Sequence, residues 1–574
     1  MALTRSKAAP ARDTPDPIPP MTDRLNRSLR YACTLLALVA VSSALPVCAA
    51  DAVLDAASAR HLLARTGFGP SSREVESFEG LTRTQAVDRI LRQTRTEPST
   101  PPPDWTRDPG PMRPAGGPAA TPEERKAYRE LQRRRGADLR AWWMQEMASS
   151  PSPLTERMTL FWHNHFTSSQ LKVVNADLMY RQNATFRANA LGSFATLLHA
   201  AAKEPAMVIY LDSVQNRKAA PNENFAREVM ELFTLGEGRY SEQDVKEAAR
   251  AFTGWSLDRD TGDFLFRPAI HDPGVKTVFG RTGRFDGDAV LDLLLARPET
   301  SEFVVAKLWR EFVSPSPQPD EVRRIAARFR AANYDIKVAL HGLLLSDAFW
   351  SPDNRGVLVK SPVELVVGTL RTLELSPPDM LPFARAVSGM GQVLFAPPNV
   401  KGWPGGEAWI NTDTLLARKQ FLARIGSLRA LPMQPGSVTA MVDIAQRRAD
   451  VALARAVGGS RATQQSPGAM PVARSELAIA RVDGGELATT LARDATARDR
   501  LEAAIAKGTR PLRFDAQAWA DSIEGRGIVE RLANAESLLL PLAPVTADVE
   551  EARAQREPAA LVRAALLDPV YQLH

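Results

Sequence analysis

The sequence predicts a mainly α protein: a multi-helical globular body with one short β-hairpin and with Pro-rich and low-complexity insertions. Three observations predict it. Apolar residues recur at helical spacing from about residue 123 to 430, few stretches alternate with period two, and several helical segments carry their own start and stop residues. The composition, 44% hydrophobic and 24% charged, excludes a fibrous or wholly disordered chain. At 574 residues the chain exceeds the roughly 250–300 at which a single core stops growing. A large body with insertions, or a main domain plus a smaller one, is therefore expected.

The first element, within residues 1–50, reads as an extension followed by a leader. Met1 to Pro20 is polar and Pro-rich. Met21 then opens a basic segment with Arg24, Arg27 and Arg30, the apolar run Tyr31 to Leu45 follows, and Pro46 precedes Cys48-Ala49-Ala50. That order is the n-region, h-region and small-residue cleavage site of a secretory signal peptide. The apolar run is short of the roughly 20 residues a membrane helix needs, so no transmembrane anchor is expected in the mature chain. The arginines are not adjacent, which points to a Sec-type route and a periplasmic or secreted protein. Bulky Val47 before Cys48 argues against lipidation. Cys33 and Cys48 are the only cysteines, so cleavage after Ala49 or Ala50 leaves none for disulfides, thiolate metal sites or a thiol nucleophile. Removing residues 1–50 also removes six basic and three acidic residues, lowering the net charge from +6 to +3. The densest basic cluster is Arg133-Arg134-Arg135. A nucleic-acid partner is not supported, because tracking phosphates needs clustered positive charge.

A main helical body is expected over residues 51–430. Ala52 to Leu91 reads as two helices around the turn Thr66-Gly67-Phe68-Gly69-Pro70. Pro98 to Pro122 holds nine prolines and three glycines and reads as a surface loop or linker. Ser152-Pro153 starts a helix whose Met158, Phe161, Trp162 and His165 share a face. Pro221-Asn222 opens another, with Phe225, Val229, Leu232 and Phe233 inward and Gly236 closing it. Ser241 with Asp244 forms a capping box before Val245, Ala248, Ala249 and Phe252. Phe264-Leu265-Phe266 is the best strand, expected to pair with Thr277-Val278-Phe279. Asp286-Gly287 begins an apolar helix closed at Pro298, and Phe303 to Val313 forms the next. Residues 436–510 are Ala-, Arg-, Gln- and Gly-rich with almost no aromatics, and read as weakly packed or disordered. Residues 511–574 are expected to supply helices that dock on the main body; their Leu566-Leu567-Asp568-Pro569-Val570-Tyr571 echoes Leu344-Leu345-Ser346-Asp347-Ala348-Phe349.

Four motifs stand out: Phe161-Trp162-His163-Asn164-His165-Phe166, the run from Asn222-Glu223-Asn224-Phe225-Ala226-Arg227-Glu228 to Gly236, His271-Asp272-Pro273-Gly274-Val275-Lys276, and Gly402-Trp403-Pro404-Gly405-Gly406. In this order they resemble the bacterial domain-of-unknown-function family numbered 1800, from about His61 to Ile425 and again at Asp568–Tyr571. The resemblance implies an exported, mainly helical protein, often encoded beside a sulfatase-like partner family numbered 1501. It implies no established reaction.

On a helix, Asn224, Arg227, Glu228 and Glu231 make one polar stripe beside the apolar face. Carboxylates held next to Arg and Asn suit a general base, a cation or a substrate grip, and equally the solvated side of an amphipathic helix. His163 and His165 suggest a metal pair, although on a continuous helix they point about 200° apart; hydrogen-bonded core histidines are the alternative. His271-Asp272 in a tight turn suits acid–base chemistry with Lys276 close by, or a plain Asp-Pro turn. Trp403 and Trp409 around a glycine loop suit stacking on a sugar or peptide, or pinning the loop to the core. Glu228, Glu231, His271 and Asp272 are the catalytic candidates, and a divalent cation is the cofactor such groups would hold. The familiar fingerprints of serine esterases, phosphate loops, dinucleotide binding and c-type haem attachment are missing. Two readings remain: an exported hydrolase or lyase with converging carboxylates and histidines, or a non-catalytic periplasmic binding or assembly protein whose polar groups form a buried network.

Overall fold

Helix starts follow the chemistry of their caps. Ser71 with Glu74, Thr82 with Gln85, Thr121 with Glu124, Ser241 with Asp244 and Ser361 with Glu364 all close capping boxes, in which each side chain satisfies the other residue's backbone N–H. The computed structural model describes residues 51–428, 512 and 514–574, a mainly α architecture. The expected low-complexity stretch 436–510 and the leader lie outside the described residues.

From Val53 to His574 the chain gathers into one compact unit. Ala56–Thr66, Ser72–Glu76 and Arg83–Arg92 lead in, three helices where two were expected, because the Ser71/Glu74 box nucleates a short extra one. The long helix Pro122–Ser149 and the helix Pro153–His165 then pack with Ala176–Asn189. Pro153–His165 is buried on nearly all sides rather than along one stripe, which makes it the axis of the body. Beyond residue 513, Pro558–Leu567 packs on Thr412–Gly426. The two echoed turns place an aromatic in the same way. Ser346 Oγ accepts from Phe349 N and Asp568 Oδ1 from Val570 N, and both Phe349 and Tyr571 are buried.

The Pro-rich stretch is stitched to the long helix. Buried Glu146 accepts hydrogen bonds from Ser99 N (2.9 Å) and Thr100 N (2.6 Å), while Trp142 Nε1 donates to Thr100 O and Tyr128 Oη to Met112 O. Prolines lack an N–H, so the stretch has few internal backbone bonds, and side chains of the helix hold the N–H and C=O groups that remain.

The expected hairpin is corrected to two. Phe264–Phe266 pairs with Trp255–Leu257, and Lys276–Val278 with Arg281–Gly283. The second turns on Phe279 (φ 50°) and Gly280 (φ 73°). Two successive positive φ values match the twist of a two-residue hairpin loop. Phenylalanine seldom occupies the first of those positions, and so the turn gave no signal.

Candidate functional site

The histidine motif is a three-way joint. His163 Nε2 accepts from Asn183 Nδ2 (3.2 Å); Asn183 Oδ1 accepts from Arg187, whose Nε and Nη2 donate to Glu156 at 2.6 and 2.9 Å. Trp143 Nε1 completes Glu156. Asn164 Oδ1 accepts the Trp403 N–H at 2.6 Å. His165 Nδ1 accepts from Lys307 Nζ (3.1 Å), so its Nε2–H donates to Phe233 O (3.1 Å). Burial holds His163 down to about 3 and His165 well below the usual imidazole range, and both rings are neutral. His163 lies among Trp143, Phe186 and Phe395, whereas His165 lies among Phe161, Trp162, Phe194 and Phe303. The helix stays continuous through both residues, and each ring joins a different cluster, as in the alternative of hydrogen-bonded core histidines. Among the described residues no group of three or more His, Cys, Asp or Glu is placed to hold a metal ion.

The Asn222 helix is short and then widens. Asn222 Oδ1 caps Asn224 N, Asn224–Glu228 is α-helical, and Val229–Thr234 is a π-helix. Thr234 Oγ1 donates to Val229 O, Leu235 N and Gly236 N both donate to Met230 O, and Gly236 (φ 86°) ends the turn. The wide turn leaves the Leu232 and Phe233 carbonyls to Lys307 and His165. It also rotates the apolar face: Met230 and Thr234 turn inward, and Leu232, expected inside, is only half-buried. π-bulges of this kind recur at functional sites.

Three of the stripe's four members are half-buried charges with distinct fates. Arg227 is bidentate on Glu242 (2.7 and 2.8 Å) and reaches Glu223 (3.1 Å). Glu231 accepts from Tyr240 Oη at 2.7 Å. Glu228 has no hydrogen-bond donor among the described residues; burial and then Glu231 push its carboxyl up, with Arg227 and Lys401 opposing. Glu228 in turn helps burial push the Tyr210 phenol up to about 12. Asn224 stands half-buried at the start of the same face.

Gly402, next to Lys401, has φ 90°, and a Cβ there would meet Asn164 Oδ1 at 2.2 Å. Only glycine lets this loop sit on the histidine helix. Trp403 and Trp409 are each 5% exposed. Both indoles are packed inward, as in the reading in which they pin the loop to the core.

At the His271 turn, Nδ1–H donates to Thr253 O (2.8 Å), leaving Nε2 as the acceptor on a half-buried ring. Asp272 accepts from Arg250 Nε (2.7 Å) and Gly274 N (2.8 Å), and Arg250 holds it below the usual carboxylate range. The buried Lys276 amine donates to the Asp272 and Gly274 carbonyls (2.6 and 2.9 Å), so it braces the turn and is not presented to a ligand. Asn216 links this turn to the stripe: its backbone O accepts from Gly254 N and its Oδ1 from Asn222 N. The structure thus brings Glu228 and Glu231 together and Asp272 beside His271, and sets His163 apart from both. Sequence reasoning missed Tyr210, Tyr240, Lys307 and Lys401. Only Lys401, adjoining Gly402, carried any signal.

Residues 61–573 match the family described as Protein of unknown function (DUF1800). No curated protein and no solved structure matches the chain.

Proposed function

The chain belongs to the DUF1800 family, and from that premise we propose an exported helical protein that binds a polar ligand where the Asn222 helix meets the Lys401-Gly402 loop. Glu228 is its proton-exchanging group, in chemistry of the hydrolase or lyase type. One observation carries the reading: Glu228 is the charged member of the stripe left without a donor, half-buried beside Glu231 and near Tyr210 and Lys401. A carboxyl raised by burial and by a second carboxylate exchanges protons nearer neutrality than a free one. Lys401 supplies the positive charge that a carboxylate- or hydroxyl-bearing ligand needs. His271, with Nδ1 locked and Nε2 open, is a second acceptor tied to the same region through Asn216.

The pairing of Arg227, Glu231, Asp272, Lys276 and His165 favours the second reading, a binding or assembly protein whose polar groups brace the fold. The family resemblance supports a sulfatase-like partner of the family numbered 1501 in either case. The test is a thermal-melt screen of wild type and Glu228→Gln against small carboxylates, sugars and sulfate esters at pH 5.5 and 8. The catalytic reading expects a ligand that raises the wild-type melt and not the variant's. Equal responses to every ligand overturn it.

A further inference from the structure

A small, partly enclosed cavity among the described residues is lined by none of the residues of the four motifs. It is lined by Arg60 and Phe68 from the N-terminal helices' side, by Lys360 and Glu364 at the start of Pro362–Thr372, and by Tyr571 and His574. Around it the chain collects positive charge. Arg157 pairs with Glu311 at 2.8 Å and with Glu364, and Glu364 also contacts His574 Nε2 at 3.2 Å. Among the described residues Arg60, Arg65, Lys360 and Arg418 form no direct ion pair with a carboxylate. They donate to carbonyls or an amide instead: Arg60 to Leu538 and Leu539, Arg65 to Phe312, Val313 and Asn354, Arg418 to Gln572 and Lys360, and Lys360 Nζ to Tyr571 (2.8 Å). Arg65 and Arg418 are fully buried, and the Nε of each has no hydrogen-bond partner among the described residues. Glu364 acts favourably on Arg65, Lys360 and Arg418 but is already shared by Arg157 and His574, so buried positive charge outnumbers buried negative charge here, which is unfavourable.

Two of these cations line the cavity with donors to spare. A guanidinium has five N–H donors and an ammonium three, of which Arg60 uses two and Lys360 one. The volume, ≈ 20 Å³, matches a species about the size of one or two waters.

We propose that this cavity is a binding site for a small inorganic anion of chloride size, held between Arg60 and Lys360. The anion adds counter-charge at Arg60 and Lys360 beyond what Glu364 supplies, and so ties the Ala56–Thr66 helix to Pro362–Thr372 and to the Tyr571–His574 end. Arg60, Arg418, Glu364, His574 and Tyr571 are the titratable groups facing Lys360. Burial holds the Lys360 amine down to about 7, so anion binding is expected to strengthen as pH falls through that value and the amine takes up its proton.

The test is a set of thermal melts at constant ionic strength, with gluconate replaced stepwise by chloride or bromide at pH 6 and pH 8.5. The expected result is a saturable rise in the wild-type melting temperature, larger at pH 6 and absent in Lys360→Met. A non-saturable rise, or one that Lys360→Met retains, overturns the proposal. If Lys360→Met does not fold, wild-type crystals grown in bromide decide. An anomalous peak between Arg60 and Lys360 supports the site, and its absence overturns it.

Discussion

His163 shows how one buried ring couples acidity to stability. Folded, it is held near 3 by burial; unfolded, it returns to about 6.5. Below 6.5 the unfolded chain therefore binds the proton first. The ring's contribution is fully present above that pH and is lost as pH falls toward 3. Each pH unit in the window costs about 1.4 kcal/mol, so roughly 2 kcal/mol is lost by pH 5. Urea melts at pH 7.5 and 5 are expected to show His163→Gln losing less than wild type between the two. A second residue prediction concerns Glu156, 1% exposed and paired with Arg187. Glu156→Gln leaves a buried guanidinium unpaired, and a loss of about 3–5 kcal/mol in the same melts is expected. Glu228→Gln is expected to change stability by no more than about 0.5 kcal/mol, because it breaks no hydrogen bond and relieves repulsion with Glu231. A loss of several kcal/mol would place Glu228 in a structural pair.

At the scale of elements, the joint between the histidine helix and the glycine loop depends on one missing side chain. Gly402→Ala adds a Cβ against Asn164 Oδ1 and strains a positive φ. A destabilisation above about 1 kcal/mol is expected, and a melt unchanged from wild type would show that the loop can lift off. Residue pattern alone reached several helix starts here, because caps are local chemistry: Ser241 with Asp244 and Asp286 with Ala289 lie within one turn of each other. It missed the π-turn at Val229–Thr234. Nothing local announces a wide turn whose freed carbonyls are satisfied by Lys307 and His165, residues far along the chain. The two-hairpin arrangement escaped for a similar reason: Trp255 and its neighbours do not alternate clearly enough to read as a strand.

For the whole molecule, the proposed export route predicts the mass of the mature protein. Intact-mass measurement of the cell-made chain is expected to show loss of residues 1–49 or 1–50, and a mature chain retaining Tyr31–Leu45 would sink this. Limited proteolysis addresses the Pro-rich insertion. With Ser99 and Thr100 held by Glu146, early cuts are expected in the exposed part around Arg107 and Arg113, and not at the anchored start. Cleavage first within Pro153–His165 would contradict its place as the buried axis.

The sequence by itself determined the mainly α class, the family and the four motifs, because helical periodicity, caps and ordered short motifs are properties of neighbouring residues. Tertiary structure alone decided what the motif residues do. His163 and His165 part company because they sit on opposite sides of a helix buried on nearly all sides, and Trp403 and Trp409 turn inward because Gly402 lets their loop press on Asn164. Arg227, Glu231 and Asp272 find hydrogen-bond partners in Glu242, Tyr240 and Arg250, and Glu228 finds none among the described residues. Which charge is answered and which is left open depends on groups brought together across the fold, and no spacing along the chain encodes that.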